Sequence, residues 1–151
     1  MPIQKFEDII AWQKAQEYAV EIYKTFNSLK DFSFKDQICR AAVSISNNIA
    51  EGFDRSSNAE FSRFLYISLA SCSELKSMLY LAERLNYISE ENKLKLLETG
   101  NEISKIIRGL IKINEKIRSL APYPLSYFVV KYKNPLVSQE LKLYLYFKHL
   151  F

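Results

Sequence analysis

Residues 34–53 read FKDQICRAAVSISNNIAEGF, and the fold is decided by the periodicity of this stretch. Ile38, Ala42, Ile45, Ile49 and Phe53 recur at three- and four-residue steps, the spacing of one helix face and not the alternation of a strand. At 100° per residue, Arg40, Ser44, Asn48, Glu51 and Arg55 fall within an arc of about 80° on the opposite side. Ala41, Ala42, Ser44, Ser46 and Ala50 are small enough to let a neighbouring backbone come close. Arg40, Asn48 and Arg55 offer donors to a carboxylate, phosphate or carbonyl. The strip therefore reads as a solvated face, a hydrogen-bonded subunit contact or a ligand-facing surface.

Working outward, the same period appears on both sides. From Phe6 to about Leu29, the residues Trp12, Ala15, Ala19, Ile22, Tyr23 and Phe26 form one stripe. Ser33 with Asp36 resembles a capping box, so the second helix is expected from about Phe34 to Phe53. Ser57 with Glu60 is a cleaner box, and Phe61, Phe64, Leu65, Ser68, Cys72, Leu75, Leu79 and Ala82 continue a third stripe towards Leu85. Ser89 before Glu90 and Glu91 opens a fourth helix, with Leu96, Ile103, Ile106, Ile107, Leu110, Ile113 and Ile117 on one face up to Ala121. With only 3 Gly and 4 Pro in 151 residues, the chain lacks the turns of a β-sandwich and the Gly-rich loops of a nucleotide-binding α/β fold. The expectation is all-α: an antiparallel up-down-up-down four-helix bundle over residues 1–121, followed by a tail over residues 122–151.

Helix three carries a second apolar group, Ile67, Met78, Leu81 and Leu85, about 100° or more around from its first stripe. A helix that is apolar on two sides takes two partners, and another copy of the chain is the expected second one. Several chemistries are excluded. One His and two Cys cannot build a zinc cluster, and the absence of any ExxH motif excludes a bundle di-iron site, so no metal or cofactor is expected. His149 is near the chain end and Glu51 and Glu60 read as cap and surface residues, so the chain is not expected to be an enzyme. The N-terminal residues show no signal-peptide core, no apolar run is long enough for a membrane span, and a cytoplasmic protein with reduced thiols is expected.

The net charge of +4 and pI of about 9.0 are unevenly spread. Residues 1–120 hold 17 Lys and Arg against 16 Asp and Glu, whereas residues 121–151 hold 4 Lys and 1 Glu. A near-neutral bundle attracts nucleic acid only where its charges segregate to one face. The tail concentrates aromatic residues. In LSYFVVKYK and LKLYLYFK it reads as a β-hairpin or as an extended arm ending in a short helix. Tyr127, Lys131, Tyr132, Lys133, Lys142, Tyr144 and Tyr146 offer rings and ammonium groups either to single-stranded RNA or, the favoured reading, to a neighbouring subunit or partner.

The runs FEDIIAWQKA (6–15), QICRAAVSISNNIAEG (37–52) and RSSNAEFSRFL (55–65) resemble the four helix bundle protein family, which includes proteins encoded in intervening sequences of bacterial 23S ribosomal RNA genes. The resemblance extends from about Phe6 to Ile117. It implies a homopentameric barrel of up-down bundles without known catalytic activity. It also brings a distant relative, the accessory variability determinant of diversity-generating retroelements, a basic pentamer that works with a reverse transcriptase and binds nucleic acid. The matching positions are Trp12, Arg40, Ser44, Asn48, Glu51, Gly52, Arg55 and Phe61, and no catalytic role transfers to them. Cys39 stands where the family often has a second arginine, which removes a positive charge from helix two. The resemblance and the composition together imply self-association, with RNA, a ribonucleoprotein, a reverse transcriptase or another protein as partner.

Overall fold

Four amphipathic segments have only each other to bury their apolar faces, and the computed structural model, which describes residues 5–55 and 57–120, shows them doing so. Helices α1 (Ile10–Thr25), α2 (Phe32–Phe53), α3 (Asn58–Arg84) and α4 (Glu90–Leu120) follow one another, each packs on the next, and α1 also packs on α4. Cross-helix partners give the directions. Gln37 meets Glu74, Ser44 meets Ser71 and Ile45 meets Ser68; Lys76 meets Asn101 and Ser62 meets Asn114; Lys14 meets Glu102 and Lys95 meets Glu21. As one number rises the other falls, so α2 runs against α3, α3 against α4 and α4 against α1. The tail residues Tyr127, Lys131, Tyr132, Lys133, Lys142, Tyr144 and Tyr146 lie outside the described residues, as does the side chain of Ile117.

The first helix departs from its expected outline. Phe6–Asp8 form a separate 3-10 turn, and Ile9 is extended (φ −78°, ψ 114°). This break buries Ile9 and sets the Phe6 ring edge-on to Trp12 at 5.1 Å, while the Gln13 amide donates to the Glu7 carbonyl at 2.7 Å. Within α1 the stripe is centred on Ala11, Ala15, Tyr18, Ala19 and Ile22, and Tyr23 is exposed. Tyr18 is buried because its hydroxyl donates to the Leu96 carbonyl of α4 at 2.7 Å. In α4, Leu96, Ile103 and Ile107 are buried as expected, while Ile111 joins them in the core and Ile113 is exposed, a shift of less than a quarter turn at the end of the stripe.

The caps show a second difference. Asp31, not Ser33, opens α2, its carboxylate accepting from the Phe34 amide at 3.0 Å. Ser57 caps α3 on the Glu60 amide and Ser89 accepts from the Asn92 amide, both as the sequence predicts. The end of α3 explains why Asp31 is chosen. Asn86 takes a left-handed conformation (φ 57°), with the Asn86 amide bonded to the Glu83 carbonyl and the Tyr87 amide to that of Ala82. This turn carries Tyr87 onto Phe34, at 5.2 Å between centroids, and lets its hydroxyl donate to Asp31 at 2.9 Å. The N-cap of α2 and the turn after α3, 56 residues apart in sequence, are thus tied into one corner.

Helices α2 and α3 approach closely at Gly52. A Cβ added at Gly52 would stand 2.5 Å from the Phe64 Cβ and 3.1 Å from the Phe61 ring. Further along, the Ser68 hydroxyl donates to the Ile45 carbonyl at 2.8 Å and Ser44 and Ser71 share a hydrogen bond of 2.9 Å. Gly52→Ala is expected to destabilise the bundle by about 1–3 kcal/mol, because the Phe64 Cβ moves only with its backbone. Gly109→Ala, where an added Cβ would meet nothing within 4 Å, is expected to stabilise it by about 0.5–1 kcal/mol. Urea unfolding of the two variants measures both signs.

The corner also gives a pH dependence. The Phe34 amide and the Tyr87 hydroxyl hold the Asp31 carboxyl below its ordinary 3.8. A folded-state value below the unfolded one stabilises above 3.8 and loses that contribution as pH falls through the lower folded value. Asp31→Asn is expected to flatten the acid limb of a stability–pH profile measured by thermal melting between pH 5 and 2.

Candidate functional site

The α2 strip is held against its own neighbours. Asn48 donates to the Ser44 carbonyl at 2.6 Å and to its hydroxyl at 2.9 Å, and Ser44 in turn meets Ser71 on α3. Arg40 pairs with Asp36 at 3.3 Å and donates to Gln37 at 2.6 Å, and Gln37 reaches Glu74 on α3. Arg55 pairs with Glu51 one turn back and lies over the Phe64 ring at 5.0 Å. Arg40 and Arg55 are exposed, and ion pairs of this kind are worth less than about 1 kcal/mol, so either guanidinium can exchange partners at little cost. The strip is the polar edge of the α2–α3 seam.

The second apolar group of α3 flanks that edge. Ile67, Leu81 and Leu85 are 39–46% exposed, large for aliphatic side chains, whereas Met78 is half-buried against the core. Ser71, which bonds Ser44, also donates to the Ile67 carbonyl, and Glu74 stands between Ile67 and Met78 on the same face. Arg40, Gln37, Glu74 and Ser44 therefore adjoin Ile67 and Leu81 on one side of the bundle, a juxtaposition that reading each helix alone does not reveal.

The other side of α3 holds a feature missed in the sequence. Along the seam with α4 a shallow groove of about 320 Å³ is lined by Tyr66, Leu69, Arg108, Ile111, Lys112 and Glu115. The Tyr66 hydroxyl donates to Glu115 at 3.1 Å, a bond that raises the phenol above its ordinary 10.0. Lys105, Arg108, Lys112 and Lys116 recur at three- and four-residue steps along α4, which is the signal that could have disclosed the groove.

The two thiols contribute no reactive group. Cys39 and Cys72 are free and buried, and burial raises both above their ordinary 9.0, so the thiolate is scarce near neutral pH. Among the described residues no cluster of three or more His, Cys, Asp or Glu side chains could hold a metal ion. No described helix is long and apolar enough to cross a membrane.

Fold and surface define a class: an all-α four-helix bundle with an uncovered apolar row beside a hydrogen-bonded polar edge. Residues 7–109 match the 23S rRNA-intervening sequence protein family, and the chain belongs to that family. It is also similar, at 34% identity and a TM-score of 0.64, to the crystal structure of a protein of unknown function from the S23 ribosomal protein family of Bacteroides thetaiotaomicron VPI-5482. The likeness covers 68% of this chain and 99% of that one. No curated protein matches the chain. The family match ends at residue 109, so the aromatic tail lies beyond it.

Proposed function

We propose that this protein is a non-enzymatic homo-oligomer, pentameric as the family resemblance implies, that serves as a cytoplasmic scaffold or adaptor on RNA or a ribonucleoprotein. The observation that carries the self-association is the α2–α3 edge. Ile67, Leu81 and Leu85 lie exposed in a row beside Arg40, Gln37, Glu74 and Ser44, the mixture of apolar core and polar rim found where chains associate. Repetition of one such contact around a ring brings several copies of every other surface together, which multiplies weak contacts to a long partner. RNA as that partner is supported by the family description and by cations gathered on one part of the bundle. The cytoplasmic placement is supported by two buried thiols outside any disulfide.

A second reading, a protein-interaction scaffold without nucleic acid, is favoured by the near-neutral bundle and by the same exposed aliphatic row. Two measurements separate the readings. Light scattering at micromolar concentration is expected to give a mass several times the 17.7 kDa of one chain, and Ile67→Glu with Leu81→Glu to lower it towards one chain while the helical signal persists. A wild-type monomer would contradict the assembly. Retention of a labelled structured RNA is expected to fall steeply between about 50 and 200 mM salt, whereas no retention at low salt would leave the protein-only scaffold.

A further inference from the structure

The near-neutrality of the bundle conceals a separation of charge. Residues 1–104 hold 12 Lys and Arg against 15 Asp and Glu, while residues 105–118 hold five cations, Lys105, Arg108, Lys112, Lys116 and Arg118, against Glu115 alone. Cations at a helix C-terminus answer the helix dipole, but that effect is confined to the last turn. Lys105, Arg108 and Lys112 lie two turns or more before Leu120, where the dipole does not call for them. Among the described residues Lys105, Arg108 and Lys112 are in no ion pair, unlike Lys14, Arg40, Arg55, Lys93 and Lys95, and their recurrence on one face of α4 sets them apart from the scattered cations elsewhere in the bundle.

Resting on the reading that the protein works on RNA, we infer that the α3–α4 groove is where the strand lies, with phosphates on Lys105, Arg108 and Lys112 and a base against the Tyr66 ring. At 100° per residue the three cations share an arc of about 60°, and Lys105 to Lys112 spans about 10 Å of helix, so Arg108 and Lys112 line the groove and Lys105 continues the same line one turn beyond it, a track rather than a single anion pocket. Tyr66 is 53% exposed, and its hydroxyl is held by Glu115, which fixes the ring at the groove edge and occupies the one carboxylate among the residues lining the groove. Leu69 and Ile111 line the same groove, an apolar surface suited to the edge of a ribose or base. The groove is too open to enclose a small molecule, whereas a strand needs only a charged track and a stacking platform. On α3, Tyr66 is about 100° around from Ile67, so assembly through the α2–α3 edge leaves the groove accessible on each copy.

The test uses the full chain and a labelled single-stranded RNA of mixed sequence, about 20 nucleotides long, titrated at several salt concentrations. Arg108→Gln with Lys112→Gln is expected to weaken binding at low salt at least about tenfold and to reduce the slope of log K against log salt by about 1.4. Arg108→Lys with Lys112→Arg keeps the charge and is expected to stay within about twofold of wild type, as is Lys24→Gln with Lys30→Gln, which removes two cations away from both the groove and the α2–α3 edge. Thermal melting and light scattering confirm that each variant keeps its fold and assembly. Wild-type binding that the double Gln variant leaves unchanged would overturn the groove while sparing the RNA reading; absence of binding by the wild type would remove both.

Discussion

The approach of α2 to α3 at Gly52 is the constraint on which the rest of the bundle depends. With Phe64 already at van der Waals limits from the glycine, the two helices meet through hydroxyls, methyls and backbone, as the Ser68 bond to the Ile45 carbonyl shows. The large aliphatic side chains of α3 divide between two faces: Leu65, Leu75 and Leu79 go wholly into the core, while Ile67, Leu81 and Leu85 remain exposed. The buried polar groups this packing requires are satisfied, since among the described residues every buried side-chain nitrogen and oxygen has a partner.

Helix α3 thereby becomes the organising element, in contact with α2 on one side and α4 on the other. Its α2 side combines aliphatic exposure with a polar edge, and its α4 side combines a tyrosine with unpaired cations. The surfaces differ chemically in the way that self-association and polyanion binding differ, one governed by apolar area and the other by charge. Separating them around one helix would let a single small domain carry both proposed contacts without competition.

Much of the fold is legible in residue spacing because helix burial is periodic, and the caps at Ser57 and Ser89 follow from local chemistry. What escapes the sequence depends on contacts between distant residues. Tyr18 outranks Tyr23 because the Leu96 carbonyl of α4 is within reach of its hydroxyl. Asp31 outranks Ser33 because Tyr87 returns to it from the end of α3. Of the site, Arg40, Ser44, Asn48, Glu51 and Arg55 are visible as a strip, but their neighbour across the seam is not. The cations of α4 are hidden by a charge count over the whole bundle, in which acidic residues elsewhere cancel them.

The central claim, that RNA lies on the α4 side of α3 and leaves the α2 edge to assembly, is tested most directly by footprinting amine reactivity in the assembled protein with and without RNA. Lys105 and Lys112 are predicted to lose reactivity when RNA is added, while Lys35, on the exposed first turns of α2, and Lys24, at the end of α1, keep theirs. Protection at Lys35 with Lys105 and Lys112 unchanged would contradict the account.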